Sequence, residues 1–116
     1  MPDYSLEDMW LIGILEGEGS FGTNGRSKTP LLRVGMTDKD TMRRVEKAMP
    51  GGYWYINKGR TLKSGRKGKD QYMYHLSGQL AAETMVYIYP QMCKRRQEQI
   101  NKILEDASDI RYRKVS

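Results

Sequence analysis

The sequence is poor in the residues that build covalent or metal frameworks. Its 116 residues include one cysteine, Cys93, and one histidine, His75. A single cysteine cannot form a disulfide within the chain, so we expect Cys93 to act as a small, largely apolar residue. His75 is not accompanied by a cluster of cysteines or histidines, which excludes a zinc site around it.

Long apolar runs are also missing. The longest lies at residues 10–15 and contains Gly13, so it is too short to span a membrane. The N-terminus is acidic where a secretion signal would be basic. These features predict an intracellular protein that is not secreted, in the cytoplasm or nucleoid of a bacterial or phage-infected host or in an organelle.

Basic residues are absent from the first part of the chain and abundant in the middle. Residues 1–18 hold five acidic residues and no lysine or arginine, whereas residues 19–78 hold thirteen basic residues against four acidic ones. In a chain of net charge +6, this concentration predicts a surface that binds a polyanion such as nucleic acid. An ordinary solvated surface is the alternative on charge alone.

Residues 10–22 join an apolar helix to two carboxylates and a glycine-rich end. Gly13 and Gly17 share one helix face, and each costs the helix about 1 kcal/mol relative to alanine. A bare face of this kind indicates that another backbone approaches closely there, as in a helix–helix seam. Glu16 and Glu18 fall in the last turn, where the helix dipole is negative, so this end should attract a cation.

Hydrophobic periodicity and turn residues predict the element order α-β-β-α-β-β-α-α. We expect Ser5 to cap the first helix with Asp8 as its reciprocal partner, and Thr37 to cap the second. Pro30 should lie between two strands, because proline cannot occupy a central ladder position. The expected bounds are helices at about 6–18, 38–49, 78–89 and 93–107, and strands at about 20–28, 31–37, 53–58 and 71–77.

The predicted fold is α+β: one domain over residues 1–116, with four antiparallel strands and the helices gathered on one face of the sheet. Residues 108–116 are expected to form a mobile basic tail. Strand alternation then assigns side chains to the open face, where a register slip of one residue would invert the assignment. The nucleic-acid contacts predicted there and in the 59–70 loop are Ser20, Asn24, Arg26, Lys28, Arg33, Tyr55, Asn57, Arg60, Lys63, Arg66, Lys67, Gln71, Met73 and His75.

Two stretches of the chain also carry a family resemblance. The run Leu11-Ile12-Gly13-Ile14-Leu15-Glu16-Gly17-Glu18-Gly19 resembles the LAGLIDADG motif of homing endonucleases, with glutamate at both acidic positions where aspartate is commoner. Residues 73–82, followed by Tyr89-Pro90 and Lys94-Arg95-Arg96-Gln97, resemble the strand, helix and Pro…Lys-x-x-Gln segment of that family. The element order is similar as well, so the resemblance covers nearly the whole chain.

The resemblance implies a site-specific endonuclease of the single-motif type, which makes a staggered double-strand break during intron homing. Two identical chains would pair through their motif helices, and their saddle-shaped sheets would lie in the major groove of a long, pseudo-palindromic duplex target. The residues implied at the interface between the two chains are Leu11, Ile12, Gly13, Leu15, Glu16 and Gly17.

The resemblance further implies a metal-dependent site. Glu18 matches the family's metal-binding carboxylate and would hold Mg²⁺ together with the main chain near Gly17 and DNA phosphate oxygens. Mn²⁺ is expected to substitute, and Ca²⁺ to support binding without cleavage. Lys94 matches the basic residue near the scissile phosphate. Asp38 and about Met42 stand where some relatives have Gln and Arg, which weakens the catalytic assignment of Asp38.

Two other functions stay open. A non-cleaving DNA- or RNA-binding protein, such as a repressor or an intron-splicing maturase, would use the same scaffold, but binding alone has no need for Glu16, Glu18 and Lys94. An α+β module unrelated to nucleic acid would bind DNA without the steep salt dependence that comes from neutralising many phosphates.

Overall fold

A four-stranded sheet packs against helices in the computed structural model, which describes residues 3–59 and 61–107. The predicted element order is confirmed, and the expected tail at 108–116 lies outside the described residues. Every helix in those two ranges is too short or too polar to cross a lipid bilayer. The elements are α1 (Leu6–Glu18), β1 (Gly19–Asn24), β2 (Thr29–Met36), α2 (Lys39–Ala48), β3 (Tyr53–Asn57), β4 (Gln71–Ser77), α3 (Gly78–Ile88), a 3-10 turn (Tyr89–Gln91) and α4 (Lys94–Ala107).

The strands run antiparallel in the order β1-β2-β4-β3. The expectation that Pro30 would separate two strands is wrong, because Pro30 lies within β2 opposite Thr23 of β1. Strand β4 accompanies β2 only from Leu31 onward, so no β4 partner needs a hydrogen bond from position 30.

The core lies between one face of the sheet and the helices. Tyr74 on β4 is fully buried, and its hydroxyl donates to the Met49 carbonyl at 2.5 Å and accepts the Gly52 N–H at 2.9 Å. This hydroxyl ties the end of α2 to the sheet, and burial raises the pKa of Tyr74. The other large core side chains include Leu15, Leu32, Val34, Met42, Val45, Leu76, Met85, Ile88 and Ile100.

Helix α1 begins with the predicted capping box. The Ser5 hydroxyl accepts the Asp8 N–H, and the Asp8 carboxylate accepts the Ser5 N–H, each at 3.0 Å. The side of α1 that faces away from the core is an exposed stripe that includes Leu6, which is 90% exposed, and Met9. The capping box fixes where α1 starts, and with it the position of its acidic C-terminal end.

Three residues implied at an interface between chains face inward instead. Leu11, Ile12 and Leu15 are 5%, 5% and 0% exposed within the single chain, so their interface assignment is wrong. They fill the chain's own core because they lie on the face of α1 that contacts the sheet and α2. Gly13 and Gly17 are exposed, and beyond the backbone of α1 itself a Cβ built on either would meet no atom of residues 3–59 and 61–107 within 4 Å.

Candidate functional site

Glu18 is the last residue of α1 and is followed directly by β1. Its side chain is exposed, and its carboxylate has no hydrogen-bond or ion-pair partner among residues 3–59 and 61–107. An open groove on the sheet adjoins it. The residues lining that groove are Glu18, Ser20, Arg33, Gly35, Gln71 and Met73. Glu18 is therefore a free anionic group at the edge of the predicted binding face.

Glu16 is bound within its own chain, and its assignment to an interface between two chains stays a prediction. Its Oε1 accepts the Cys93 N–H at 2.7 Å, and its Oε2 accepts the Cys93 thiol at 3.2 Å. The hydrogen bond from the Cys93 main chain lowers the pKa of Glu16, with a smaller contribution from Arg96. Cys93 immediately precedes α4, so the Glu16 carboxylate acts as a cap on that helix from a distant part of the chain.

Arg96 lies beneath this contact, and sequence reasoning missed it as a site residue. Its side chain is 8% exposed, and its Nη2 donates to the Glu16 carbonyl at 3.1 Å while Nη1 donates to Gln99. Its Nε lies 3.5 Å from Glu16 Oε2, an ion-pair distance without hydrogen-bond geometry. The guanidinium also lies over the Phe21 ring, 5.1 Å from the ring centroid. The cation expected to relieve the negative end of α1 is thus supplied in part by the chain itself.

Lys94 is the first residue of α4 and is exposed. Its neighbour Cys93 is bound by Glu16, two residues before Glu18. The Glu16–Cys93 contact therefore brings the start of α4, with Lys94, to the same end of α1 as Glu18. Of the three residues assigned to catalysis, Glu18 and Lys94 thus belong to the same end of α1.

Asp38 has a local role that accounts for its position. It is the N-cap of α2, where Thr37 was expected. One carboxylate oxygen accepts the Asp40 N–H at 3.1 Å and the other accepts the Thr41 hydroxyl at 2.8 Å. The hydrogen bond from Thr41 lowers the pKa of Asp38. Each oxygen thus accepts one hydrogen bond in the helix cap, and the catalytic role of Asp38 stays a prediction.

The open face of the sheet has the polarity that strand alternation predicts. Ser20, Arg33, His75 and Tyr53 stand in one row across all four strands. Gly35, Met73 and Tyr55 form the next row, and Gln71 pairs with Asn57 beyond it. Asn24 ends β1 on the same face. Tyr53 was missed, although its spacing from Tyr55 and Asn57 already indicated this face.

Arg26 and Lys28 are not on a strand, contrary to the prediction. Strand β1 ends at Asn24, and both residues lie in the exposed turn to β2, where Lys28 takes a φ of 56°. Lys63, Arg66 and Lys67 are exposed in the loop between β3 and β4 at the other end of the sheet. Basic groups therefore flank the open face at both ends. Arg60 lies outside the described residues.

Four side chains form an apolar area on this face, the aromatic patch, made of Tyr53, Tyr55, Met73 and His75. The His75 ring centroid is 5.2 Å from each tyrosine ring centroid. His75 Nδ1 lies 3.4 Å from the Tyr53 hydroxyl, and Nε2 is buried without a partner in the part of the chain that the structure describes. Burial lowers the pKa of His75, and Arg33 opposite lowers it further.

The donor chemistry at the end of α1 suits a hard divalent cation. Carboxylate and carbonyl oxygens are the ligands that Mg²⁺ and Ca²⁺ prefer, and the unpartnered Glu18 carboxylate and the main chain at Gly17 offer such oxygens. Within residues 3–59 and 61–107, no group of three or more His, Cys, Asp and Glu side chains could hold a metal ion. The described chain thus offers part of a coordination shell.

Comparison with known proteins gives matches among solved structures alone. No family model matches the sequence, and no curated protein matches it. The LAGLIDADG meganuclease I-CpaMI bound to uncleaved DNA superposes with a TM-score of 0.65 at 16% identity, over 98% of this chain and 41% of that chain. The archaeal intron-encoded homing endonuclease I-Vdi141I complexed with DNA gives a TM-score of 0.53 at 11% identity, over 93% of this chain and 82% of that chain.

A third similar structure is the homing endonuclease I-CvuI. Its complex with its target in the presence of Ca gives a TM-score of 0.51 at 14% identity, over 81% of this chain and 63% of that chain. Another I-CvuI complex, obtained in the presence of Mg, holds DNA that is not cleaved. This chain spans 41% of I-CpaMI and 63% of I-CvuI, so it corresponds to part of those proteins.

Proposed function

We propose that this chain, which has the fold of the LAGLIDADG homing endonucleases, binds duplex DNA at a specific site and cleaves both strands. One observation supports the proposal most strongly. The unpartnered Glu18 carboxylate stands where α1 meets the open face of the sheet, beside a groove lined by Ser20, Arg33 and Gln71. Binding alone would not require a free anion next to a surface meant for a polyanion.

The sheet would act as the reader of the DNA. A β-ribbon fits the major groove, where each base pair presents a distinct pattern of donors, acceptors and methyl groups. Arg33 can donate to guanine, and the Asn57 and Gln71 amides can pair with adenine. The basic turns around Arg26 and Lys67 would contact phosphates and hold the register.

Two copies of the chain would form the active protein. Leu6, Met9, Gly13 and Gly17 follow one another on one face of α1, all of them exposed. No packing among the described residues explains the two glycines, because beyond the backbone of α1 itself none of their atoms lies within 4 Å of a Cβ at either position. A second α1 helix packed there would use the bare backbone for close approach. A twofold dimer would recognise a pseudo-palindromic target.

The chemistry would take place between the two copies of α1. Glu18, its counterpart in the second copy and the main chain near Gly17 would hold the divalent cation, which when bound supplies neutralisation of phosphate charge and activation of water. Mg²⁺ is the expected ion, Mn²⁺ would substitute, and Ca²⁺ would support binding alone. Lys94 would stabilise negative charge at the scissile phosphate, and the Glu16–Cys93 contact would hold it in place.

Stoichiometry and salt dependence test the binding part of this proposal. In Ca²⁺, sedimentation of the protein with a duplex enriched from a randomised pool should give two chains per duplex. Because many basic groups would displace counterions, affinity should fall about a thousandfold or more between 50 and 200 mM salt. A single chain per duplex would contradict the dimer, and affinity independent of salt would contradict the DNA-binding face.

A further inference from the structure

The aromatic patch gives the open face an apolar area in the middle of polar and basic residues. Tyr53 and Tyr55 are 59% and 42% exposed, and they are flanked by Arg33 and the Gln71–Asn57 pair. Exposed apolar groups that are rimmed by polar ones mark a contact surface. We therefore expect a molecule that binds to this face of the sheet to place an apolar group against the patch.

Met73 extends this apolar area across β4 to β2. A Cβ built on Gly35 would lie 2.7 Å from Met73 Sδ, so the thioether occupies the space that a side chain at position 35 would fill. Tyr55 pairs with Met73 on the other side. Apart from the Tyr55 hydroxyl, the side chains in the row from Gly35 to Tyr55 consequently expose carbon and sulfur atoms rather than hydrogen-bonding groups.

His75 does not bring charge to the patch. Its Nε2 is buried and its Nδ1 faces the Tyr53 hydroxyl, so neither nitrogen is directed at an incoming phosphate. Burial and the nearby Arg33 lower the pKa of His75, which disfavours the charged form of the ring. The imidazole thus serves as the packing centre of the two tyrosines.

The ring geometry favours a duplex over splayed single-stranded bases. The Tyr53 and Tyr55 centroids are 6.5 Å apart, and the His75 ring lies 5.2 Å from both, which fills the space beside them. Single-strand readers instead leave aromatic faces free for bases to stack on. A surface of packed rings is suited to contacts with groups that project from the edge of a base pair.

We infer that the aromatic patch contacts thymine methyl groups in the major groove and so selects A·T pairs beneath β3 and β4. The thymine methyl is the apolar group among the base edges of the major groove, and apolar side chains recognise it there. This inference rests on the proposed function, since it requires duplex DNA against the sheet. Each half of the DNA target would then have three parts: one read by Arg33, one rich in thymine, and one read by Asn57 and Gln71.

Replacing thymine by uracil in the DNA tests the inference without altering the protein. The enriched duplex is bound in Ca²⁺ with each thymine changed in turn to deoxyuridine, which removes one methyl and leaves the pairing intact. Loss of one buried methyl should weaken binding about fourfold at each position under the patch, and leave the other positions unchanged. The Tyr55→Ser variant should bind thymine and uracil duplexes equally at the positions that Tyr55 contacts.

A matched control comes from the same strand. Ile56 is 41% exposed and alternates with Tyr55, so Ile56→Ser makes a similar change on the opposite face and should keep the full uracil effect. If wild-type protein binds the duplex but no uracil substitution matters, the inference is overturned while the proposed function stands. If single-stranded RNA binds more tightly than any duplex and Tyr55→Ser loses it, a stacking function replaces both. Absence of duplex binding overturns the proposed function itself.

Discussion

Protein carrying Glu18→Gln is expected to bind its duplex target in Ca²⁺ with wild-type affinity and to leave it uncut in Mg²⁺. The amide keeps the size of the side chain but removes the charge that would hold the cation, so the cleavage rate should fall on the order of a thousandfold. The effect should be confined to cleavage, because Glu18 has no structural bond to lose among the described residues. Single-turnover cleavage and filter binding on the same preparation measure both quantities.

Glu98→Gln is the matched control for this substitution. Glu98 is exposed on α4, and its replacement should change neither the cleavage rate nor the Kd. Cleavage at the wild-type rate by the Glu18 variant would show that another group holds the cation. A loss of duplex binding in Ca²⁺ would show that Glu18 contributes to the binding surface rather than to the chemistry.

Replacing Arg96 should have the second-largest effect on cleavage. Arg96 would act by positioning the catalytic groups rather than by contacting DNA. Arg96→Met removes the guanidinium that holds the Glu16 carbonyl at 3.1 Å and the Glu16 carboxylate at 3.5 Å. Glu18 follows Glu16 by two residues and Lys94 follows Cys93, the partner of Glu16, so both should lose their alignment. A displacement of about 1 Å is enough to lower kcat about a hundredfold, while KM should change little because the binding face is untouched.

Stability and a neighbouring variant separate this positioning role from general damage. The free energy of unfolding of Arg96→Met should fall by about 2 kcal/mol, less than for a fully buried pair because Glu16 keeps part of its solvent exposure. Arg95→Met removes the same charge from an exposed position and should lower kcat and stability far less, because Arg95 makes only a small electrostatic contribution at Glu16. Arg96→Lys should regain stability but not full kcat, since an ammonium cannot serve the same separated acceptors. Equal kcat for Arg96→Met and wild type would contradict the role.

Local patterns in the sequence were sufficient to predict β4 and its two faces, although they misplaced the end of β1 and the start of β2. Strand β4 has the predicted bounds, and its alternation placed Tyr72, Tyr74 and Leu76 inward and Met73 and His75 outward, as observed. The Ser5–Asp8 capping box is local as well, because its partners are three residues apart. The likeness to solved LAGLIDADG structures confirms the fold that the resemblance implied.

Contacts between distant parts of the chain were harder to predict. A helix that is apolar nearly all round does not show which face its own core takes, and for that reason Leu11, Ile12 and Leu15 were assigned to the wrong surface. Glu16 meets Cys93 from 77 residues away, a contact that no local pattern encodes. Arg96 could have been found, because it continues the inward stripe of Ile100 and Ile103 at helical spacing.

Cleavage of a randomised duplex library, with and without Mg²⁺ and followed by sequencing of the cut ends, is the decisive measurement of metal-dependent cleavage at a specific site. We expect recovery of one pseudo-palindromic site, cut on both strands with a fixed stagger, and only when Mg²⁺ is present. Enrichment of a bound site that is never cut, in Mg²⁺ or Mn²⁺, would contradict the assignment of Glu18 and Lys94 to catalysis and leave a DNA reader on the nuclease fold.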